Sequence, residues 1–345
     1  MAKEKKKTSG KKIALIIIVI LLALVLAVMA GASIFINSML GKIERVPETE
    51  PTLSDEEIEM ILQETDVPIE EIEEEYTIEA TEPAETEAVP ETVPLIEEED
   101  HIINVLLIGQ DARPGQGRQR SDTMILCTVN TEKKTLVMTS FLRDLYVDIP
   151  DWNGKSYDDN RLNVNYAFGG MGMLDECLKL NFGVVVDHNI AVNFSGFEKI
   201  VDIMGGVDIK LTSAEAAHLG LSSGWNLLDG HNALRYARIR KLDSDFGRTN
   251  RQRTVLNQLL EKVRNSSLKN LLRLTDTIFP LISTDMENSE IVDLVMEVFP
   301  ILPELEVTTQ YIPAKDAYQG KYIRGMAVLV ADMEANRQIL RDTIG

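Results

Sequence analysis

Cysteine and histidine are scarce in this chain of 345 residues, which has two cysteines and four scattered histidines. None of these residues falls at the spacing of a tetrahedral zinc site, which argues against zinc-dependent chemistry. Cys127 alternates with Ile125 and Val129 along a predicted strand, so we expect it to be buried among apolar side chains. Residues 101–345 are long enough to bury a core without a disulfide, and the sequence leaves pairing of Cys127 with Cys177 open.

Signatures of nucleotide and nucleic-acid binding are also missing. Gly115 and Gly117 lie in a loop that is too irregular for a dinucleotide or Walker fingerprint. No basic recognition helix is visible, and the dozen residues before the first apolar run are too few to form a DNA-reading module. The sequence therefore predicts no nucleic-acid partner.

Lysine and arginine are absent from residues 46–100, which carry 22 acidic residues. This segment alone accounts for the net charge of −20, so the region that follows is only mildly acidic. Its Glu, Pro and Thr offer too little apolar surface to fold, and self-repulsion should keep the chain extended. We interpret residues 38–100 as an acidic extracellular linker, within which residues 54–63 could form a short helix capped by Ser54.

Charge is absent from residues 13–36, a run of 24 residues dominated by Ile, Leu, Val and Ala. At about 1.5 Å of rise per residue, such a helix spans the roughly 30 Å hydrocarbon core of a bilayer. Lysines crowd its N-terminal side. The positive-inside rule therefore predicts a cytoplasmic tail at 1–12, a single transmembrane helix at 13–37 and an extracellular remainder at the cell membrane. The alternative is a cleaved signal peptide, whose apolar core of about 7–15 residues is normally shorter than this run.

Residues 101–345 alternate strand-like and helix-like patterns. Short apolar runs predict strands at 102–108, 123–130, 135–141, 146–149, 189–194, 207–211 and 307–312. Amphipathic segments predict helices at 163–168, 173–180, 197–204, 249–264, 268–274, 291–298 and 326–341, and Asp229 can cap one that ends near Tyr236. This alternation predicts one α/β domain of α-β-α type, in which helices flank a central mixed β-sheet.

Two aspartates and two arginines bracket the loop after the first of these strands. Asp111 follows a buried strand and a glycine, where ligand groups of α/β folds commonly lie, and Asp122 begins the next strand. Both carboxylates could therefore reach one rim of the sheet and share a hard cation such as Mg²⁺. Arg113 and Arg120 would add donors for a phosphate. The alternative is that both aspartates are ordinary turn residues.

A second group of polar residues follows more than a hundred residues later. Arg238 and Arg240 are two apart, so both side chains would point the same way in an extended segment. Arg248, Arg251 and Gln252 would share one face at the start of a helix, where backbone N–H groups favour anions. Converging guanidinium forks suit a pyrophosphate. The alternative is a solvated basic face that pairs with nearby aspartates.

Two further pairs admit a structural and a functional interpretation. Arg143 and Asp144 end a strand, where they could act in the site or form a plain ion pair. Asn163 and Asn165 could bind sugar or phosphate, although capping of the next helix is the simpler interpretation.

Taken in order, these blocks resemble the LytR-CpsA-Psr family of membrane-anchored cell-wall glycopolymer ligases. The resemblance runs in register over about 101–260. It departs from the family pattern at Leu142, where proline is usual, and at His231, where an acidic or other polar residue is more common. The matching blocks are Gly109-x-Asp111-x-Arg113, Arg120 to Thr123, Arg143-Asp144, Asn163 before an aromatic-Gly-Gly turn, Val201-Asp202 with Gly205-Gly206-Val207, Leu228-Asp229-Gly230 with Ala233-Leu234, Arg238-x-Arg240, and Asp245-x-Gly247-Arg248 with Arg251-Gln252.

The resemblance implies a phosphotransferase that moves a phosphoglycan, of teichoic acid or capsular type, from an undecaprenyl-pyrophosphate carrier to a hydroxyl of peptidoglycan. It assigns Asp111 and Asp122 to Mg²⁺, and it implies an apolar tunnel for the polyprenyl chain, which segments 192–204 and 255–260 could line. The residues implied to contact the pyrophosphate are Arg113, Arg120, Arg143, Arg238, Arg240, Arg248 and Gln252. The residues with implied catalytic roles are Arg143, Asp144, Arg238, Arg240 and Asp245, of which either aspartate could orient an arginine or take the acceptor proton.

Other functions stay open at this point. A non-catalytic protein could hold a lipid-linked or wall polymer with the same arginines, and a polyprenyl-pyrophosphate hydrolase could use water as the acceptor. A transcriptional regulator is a third reading, but the short cytoplasmic tail allows only an indirect effect on transcription.

Overall fold

The computed structural model describes residues 37–46, 53–54, 56–58, 93–96, 99–110, 118–240, 242, 245–266 and 274–344. All but the last residue of the predicted transmembrane helix at 13–37 lies outside these ranges. Within them, no helix combines the length and the apolar character needed to cross a bilayer. The chain divides into two compact units, Met1–Lys42 and Ile43–Gly345, and the fold below is that of the second.

A mixed sheet forms the centre of this unit. The described strands, numbered in chain order, are β1 (Glu44–Arg45), β2 (Ile102–Gln110), β3 (Ser121–Asn130), β4 (Thr135–Phe141), β5 (Tyr146–Val147), β6 (Asn160–Arg161), β7 (His188–Asn193), β8 (Val207–Leu211), β9 (Gly224–Leu228), β10 (Ile282–Thr284), β11 (Glu306–Ile312), β12 (Tyr318–Ile323) and β13 (Met326–Ala331). The central sheet has the order β1-β10-β7-β2-β3-β4-β11. Its β2, β3 and β4 pair antiparallel, whereas β7 joins β2 and β11 joins β4 in parallel. The strands predicted for this sheet are confirmed to within a residue or two.

Helices cover both faces of the sheet. The helices that lie wholly within the described residues and have seven or more residues are α1 (Val164–Phe182), α2 (Phe194–Ile203), α3 (Ser213–Leu219), α4 (Gly230–Ala237), α5 (Asp245–Arg264), α6 (Asn288–Val298) and α7 (Met333–Ile344). On one face, Leu106 and Leu126 share a core with residues of α1 and α7. On the other, Ile125 and Met138 share a core with residues of α5 and α6. This arrangement confirms the predicted α-β-α fold.

The alternation of strand side chains separates the two cysteines. Cys127 packs with the core on the α5 side of the sheet, whereas Cys177 of α1 is buried in the core on the other side. Both are free thiols. Burial raises the pKa of Cys127 to about 12 and also raises that of Cys177. Cys127 packs against apolar side chains as predicted, although it is only partly buried. The open question of a disulfide is answered in the negative.

A smaller layer lies next to α5 and has its own core, built from α2, α3, α4 and the β8–β9 hairpin. Two caps set its helix boundaries. Asp229 accepts a hydrogen bond from the backbone N–H of Asn232 at 2.8 Å, which confirms the predicted cap of α4. At α3, Thr212 and Glu215 form a capping box that the sequence analysis missed.

The prediction of a helix over 326–341 is wrong in its first third. Met326–Ala331 is a strand that pairs antiparallel with Tyr318–Ile323, and only Met333–Ile344 is helical. Arg324 and Gly325 connect the two strands with φ of 49° and 80°. Two successive residues at positive φ form the kind of tight turn whose twist matches a hairpin. The turn therefore outweighs the helical pattern of the apolar residues that follow it.

The two helices predicted at 163–168 and 173–180 occur as one element with a break. Gly170 has φ 72° and ψ −150°, which is outside the helical range, so α1 bends there. Only glycine adopts such a conformation at low cost. The predicted glycine separation is thus correct, although the helix resumes directly after it.

Short stretches of the predicted linker belong to the folded unit. Glu44–Arg45 pairs with Ser283 and Thr284 of β10, and Ile58 and Ile96 are buried in the core with α1. Ser54 accepts a hydrogen bond from the backbone N–H of Glu57 at 3.3 Å, as expected for the predicted cap. Most of segment 46–100, and most of the helix predicted at 268–274, lie outside the described residues.

The contact between α2 and α4 generates a stability prediction. A Cβ atom at Gly230 would overlap the backbone carbonyl group of Glu198 on α2. Gly230→Ala should therefore force the two helices apart and lower the free energy of unfolding by about 1–3 kcal/mol. Thermal and urea unfolding would measure the loss. The neighbouring exposed residue gives the control, since His231→Ala should change stability by at most about 0.5 kcal/mol. Equal stability of both variants would contradict the described packing.

Candidate functional site

An apolar pocket with a charged end lies between the central sheet and helices α2, α4 and α5. Its volume is about 250 Å³. The floor is the face of the sheet that carries Leu107, Ile125 and Val192. The apolar lining residues are Leu107, Ile108, Gly109, Ile125, Ile190, Val192, Phe194, Phe197, Ile200, Leu234, Ala237, Leu256, Leu259 and Ile282. The polar ones are Asp122, Thr123, Arg238, Arg240, Arg248 and Gln252.

Distant parts of the sequence meet at the charged end of this pocket. Asp122 is the second residue of β3, and Arg240 follows the end of α4. Arg248 lies in the first turn of α5, and Gln252 lies one turn further along the same helix. The pocket therefore contains both motifs that the sequence analysis had singled out separately.

Asp122 is the carboxylate around which the arginines gather. Its Oδ1 atom lies 3.0 Å from Nη1 of Arg143 and 3.6 Å from Nη2 of Arg240. Burial alone would raise the pKa of Asp122, but Arg143, Arg240 and Arg248 outweigh it and hold the pKa below its ordinary value. Asp122 is therefore ionised at neutral pH, which fits either an ion-pair partner or a ligand for a cation.

Arg143 connects Asp122 to a second carboxylate. Its Nε atom lies 3.3 Å from Oδ2 of Asp144, whose Oδ1 lies 3.6 Å from Nε of Arg161. The ion pair of Arg143 with Asp144 is thus real, and it is part of the site as well. Arg161 is 4% exposed and was not among the site residues predicted from the sequence. The pairing of β5 with β6 brings it here.

Arg248 is the most deeply buried arginine of the site, at 2% exposure. Its Nη2 atom donates to Oδ2 of Asp245 at 2.7 Å, whereas its Nε and Nη1 groups have no hydrogen-bond partner among the described residues. The Oε1 atom of Gln252 is likewise buried without a partner in this part of the chain. Buried polar groups are normally hydrogen-bonded, so these atoms indicate a site for a polar ligand.

Burial also shifts the pKa values of the Arg248 and Asp245 pair. It lowers the pKa of Arg248, and the nearby Arg143 and Arg240 lower it further, although a guanidinium stays charged at any physiological pH. It raises the pKa of Asp245, with the repulsion of Asp144 adding to the effect against the attraction of Arg248. Asp245 is therefore a stronger base than an ordinary aspartate.

Arg238 and Arg240 both line the pocket. Their common direction had been expected from an extended segment, in which residues two apart point the same way. Arg238 is the C-cap of α4, with φ −102° and ψ 2°, so the segment is not extended there as predicted. Its guanidinium carbon lies 4.5 Å from the centre of the Phe194 ring, a cation–π contact. Arg240 remains 47% exposed, so its guanidinium is accessible to a ligand.

The structure does not bring every predicted residue into the pocket. Arg120 directly precedes β3 but is not among the lining residues. Arg251 was predicted to share a face with Arg248, yet its Nε atom donates to Glu215 at 2.7 Å, on the side of α5 away from the pocket. Residues three positions apart in a helix point about 60° away from each other, so Arg251 is rotated away from Arg248. The ion pair with Glu215 holds Arg251 in that direction. Asp111 and Arg113 lie outside the described residues.

Asn163 and Asn165 do not cap α1 through their side chains. Asn163 occupies the cap position without a side-chain hydrogen bond, and its Oδ1 atom is buried with no partner in the described residues. Its backbone N–H donates to Arg143 and its carbonyl accepts from Ser121, at 3.3 Å and 3.4 Å. The backbone of Asn163 therefore connects the two segments that carry Asp122 and Arg143.

A magnesium ion fits the chemistry of Asp122, but its other predicted ligand is not described. Among the described residues, no group of three or more His, Cys, Asp or Glu side chains is placed to hold a metal. Mg²⁺ commonly uses only one or two carboxylates together with substrate phosphates. An ionised Asp122 beside guanidinium groups is compatible with such a site.

Comparison with known proteins identifies relatives of this chain. The sequence model of the LytR_cpsA_psr family matches residues 61–343. The polyisoprenyl-teichoic acid--peptidoglycan teichoic acid transferase TagU of Bacillus licheniformis is 40% identical over 167 residues, which are 48% of this chain and 53% of that protein. The regulatory protein MsrR of Staphylococcus aureus (strain COL) is 29% identical over 70% of this chain and 74% of its own. The match spans 53% to 61% of the length of three TagU relatives.

A solved structure shares the fold. TagT bound to LIIa-WTA superposes with a TM-score of 0.59 at 26% sequence identity, over 73% of this chain and 94% of the TagT chain. The structure of TagT from B. subtilis gives a TM-score of 0.57 at 25% identity, over 73% and 94% of the two chains.

Proposed function

This chain belongs to the LytR-CpsA-Psr family, and we propose that it transfers a phosphoglycan from an undecaprenyl-pyrophosphate carrier to peptidoglycan. The observation that carries the proposal is a single pocket with an apolar body and an arginine-rich end. A polyprenyl pyrophosphate has the same two parts, a long hydrocarbon chain and a head group with several negative charges. The names of the TagU relatives and of the TagT complex support a teichoic-acid-type polymer as the cargo.

The apolar part of the pocket suits the hydrocarbon chain. Segments 192–204 and 255–260, which the sequence analysis suggested as tunnel walls, supply Phe194, Phe197, Ile200, Leu256 and Leu259 to its lining. Burial contributes about 0.8 kcal/mol for each CH₂ group removed from water. A few isoprene units therefore suffice to retain a lipid in the pocket, independently of the head group.

The charged end suits the pyrophosphate. Arg238, Arg240 and Arg248 line the pocket there, and Arg143 lies beside them against Asp122. The unpartnered Nε and Nη1 groups of Arg248 would find acceptors in phosphate oxygens, and Arg forks bind such oxygens in pairs. Phosphoryl transfer needs little covalent chemistry from the protein but much stabilisation of negative charge, which these arginines supply.

The transfer step requires a group beside the arginines that accepts the proton of the attacking hydroxyl. The hydroxyl oxygen of the acceptor attacks the phosphorus that carries the glycan, and the bond from this phosphorus to the bridging oxygen breaks. Polyprenyl phosphate leaves with that oxygen, and the hydroxyl proton passes to a carboxylate. Asp245 suits this role because burial raises its pKa and Arg248 holds its position. Asp144, held between Arg143 and Arg161, orients Arg143.

Asp111 and Asp122 are the residues that would hold Mg²⁺. When bound, the ion would neutralise charge on the pyrophosphate oxygens and so lower the barrier to departure of the lipid phosphate. Asp122 supports this assignment because it is ionised in the folded protein. Its two arginine partners would then turn towards the phosphates.

The proposal extends to a membrane location. The uncharged run at 13–36 with its lysine-rich N-terminal flank supports a single transmembrane helix at 13–37, with tail 1–12 in the cytoplasm and the catalytic unit outside the cell. Such an anchor keeps the pocket close to a lipid-linked substrate and within reach of the wall.

The arginine assignment predicts a specific pattern of activity. Arg238→Lys and Arg240→Lys should fail nearly as badly as the alanine variants, with losses of about a hundredfold or more, because lysine keeps the charge but loses the bidentate fork. The assay is transfer of a synthetic polyprenyl-pyrophosphate glycan to peptidoglycan oligomers, with product analysis to separate transfer from hydrolysis. Near-normal activity in the double variant Arg238→Ala, Arg240→Ala would contradict the site.

A matched control for these variants lies on the same helix. Arg235 donates to the carbonyls of Leu219 and His218, away from the pocket. Arg235→Ala should leave transfer unchanged and cost at most about 1 kcal/mol of stability. Melting curves for all variants are required, since lost activity at an unchanged melting temperature is the result that supports a direct role.

The metal assignment predicts a requirement for Mg²⁺. EDTA should abolish transfer and added Mg²⁺ should restore it, whereas Asp111→Ala should remain inactive at any Mg²⁺ concentration. The isosteric Asp122→Asn should raise the Mg²⁺ concentration needed for half-maximal activity without unfolding the protein. Full activity of the wild-type protein in EDTA would refute the assignment, whatever the variants do.

The topology predicts where the catalytic unit is accessible. Protease added to intact protoplasts should remove the unit that follows residue 42 and leave a short anchored fragment. An antibody against the N-terminal tail would detect that fragment only after lysis. If the large unit survives until the membrane is lysed, the proposed orientation is wrong.

A further inference from the structure

Three aromatic side chains form a cluster outside the hydrophobic cores of the described residues. The ring of Phe246 lies 4.8 Å from that of Tyr311, edge-on, and 5.3 Å from that of Tyr318. All three are partly exposed, and none is a member of the three cores. We call Phe246, Tyr311 and Tyr318 the aromatic cluster. Large rings that stay partly exposed together often mark a binding surface.

The aromatic cluster adjoins the charged end of the pocket. Phe246 directly follows Asp245 in the first turn of α5. On β11, Tyr311 precedes Ile312, whose carbonyl accepts a hydrogen bond from Leu142, the residue before Arg143. The hairpin that carries Tyr318 is joined to the same place, because the N–H of Leu329 donates to the carbonyl of Asp144 at 2.8 Å. The cluster is thus tied by backbone and sequence to Asp245, Arg143 and Asp144.

The apolar pocket and the aromatic cluster lie on opposite sides of that charged end. The pocket is lined by residues of β10, β7, β2 and β3, at one half of the sheet. Tyr311 belongs to β11, the strand at the other edge. Val307 of β11 packs in the core on the α5 side, and Tyr311 is four residues further along the same face. The first turn of α5, with Asp245 and Arg248, stands between the two regions.

The β12 strand extends the aromatic surface. Tyr318, Gly320 and Tyr322 are alternate residues, so they share one face of the hairpin, and both tyrosines are partly exposed. Two tyrosines four residues apart in a strand are separated by about 13 Å. Gly320 between them has no side chain, so no side chain of β12 separates the two tyrosines on this face.

We propose that the aromatic cluster and Tyr322 bind the sugar rings of the acceptor glycan, a pyranose chain whose hydroxyl receives the phosphoglycan. The inference rests on the proposed transfer, since it names the acceptor subsite of the same reaction. The apolar C–H faces of a pyranose pack against aromatic rings, while its peripheral hydroxyls reach tyrosine hydroxyls and backbone groups. A neutral sugar requires no charged partner. The guanidinium carbon of Arg253 lies 5.7 Å from the centre of the Tyr311 ring, but Arg253 is buried and donates to Ser140 and to the carbonyl of Gln310. An acceptor held there presents its hydroxyl to Asp245 from the side opposite the lipid.

The direct test measures acceptor binding without any lipid. The full-length protein in detergent is incubated with glycan strands from which the peptides and attached polymers have been removed, and the bound fraction is measured. Tyr318→Ala and Tyr322→Ala should each weaken binding about tenfold, the loss expected for one stacked ring. Tyr318→Phe and Tyr322→Phe keep the ring and should stay within about threefold of wild type.

Two controls separate recognition from folding. Trp225 is 70% exposed on the β8–β9 hairpin, outside the pocket lining, so Trp225→Ala should bind the glycan as wild type does. Tyr322 makes none of the ring contacts that hold the aromatic cluster together. If Tyr318→Ala lowers the melting temperature, Tyr322→Ala therefore still decides the question. If Tyr322→Ala binds the glycan as tightly as wild type does, the inference is wrong. This conclusion holds whatever the melting temperature of Tyr318→Ala.

A kinetic test distinguishes this inference from the function on which it rests. In the transfer assay, Tyr322→Ala should raise KM for the glycan acceptor about tenfold, with the affinity for polyprenyl pyrophosphate retained. A wild-type protein that binds glycan strands but not the lipid would refute the proposed function alone. A protein that transfers to the acceptor with unchanged KM in Tyr322→Ala would refute the acceptor subsite alone.

Discussion

The balance of charge at the end of the pocket is the constraint on which the rest of the structure depends. Arg143, Arg240 and Arg248 surround Asp122, and Arg248 is almost fully buried. Removing an ion from water costs several kcal/mol, so a buried guanidinium is tolerated only beside carboxylates. Asp122 and Asp245 provide this compensation, yet some Arg248 donors have no partner in the described residues. The arrangement is stable enough to fold and retains the capacity to bind an anion.

The fold brings this charge cluster to the boundary between an apolar and an aromatic region. Antiparallel β2, β3 and β4 place Asp122 and Arg143 at one rim of the sheet, because β3 begins where β4 ends. Helices α2, α4 and α5 then cover the half of the sheet that contains β2 and β7. The first turn of α5 faces both regions, which explains why Asp245, Phe246 and Arg248, nearly consecutive in sequence, have such different surroundings.

Prediction from sequence worked where a local pattern has one physical solution. The apolar runs of β2, β3 and β4 are short, which favours buried strands, and Asp229 directly precedes a helix that it can cap. It failed at Met326–Ala331, where an apolar run suits a helix or a strand and the turn at Arg324 and Gly325 decides between them. Arg161 was missed because nothing local distinguishes a buried arginine from a solvated one. The pairing of β5 with β6 places it beside Asp144.

The sequence by itself determined the α-β-α class, the order of the motifs and the set of charged residues from which the site is drawn. Periodicity and residue chemistry are local properties, and they are enough for these conclusions. Tertiary structure alone decided that Arg248 and Gln252 face the pocket while Arg251 pairs with Glu215. The spacing of the three residues on the helix does not show which neighbouring element each side chain contacts. It also decided that the apolar residues of α2 and α5 enclose a cavity, because periodicity cannot distinguish a pocket wall from a filled core.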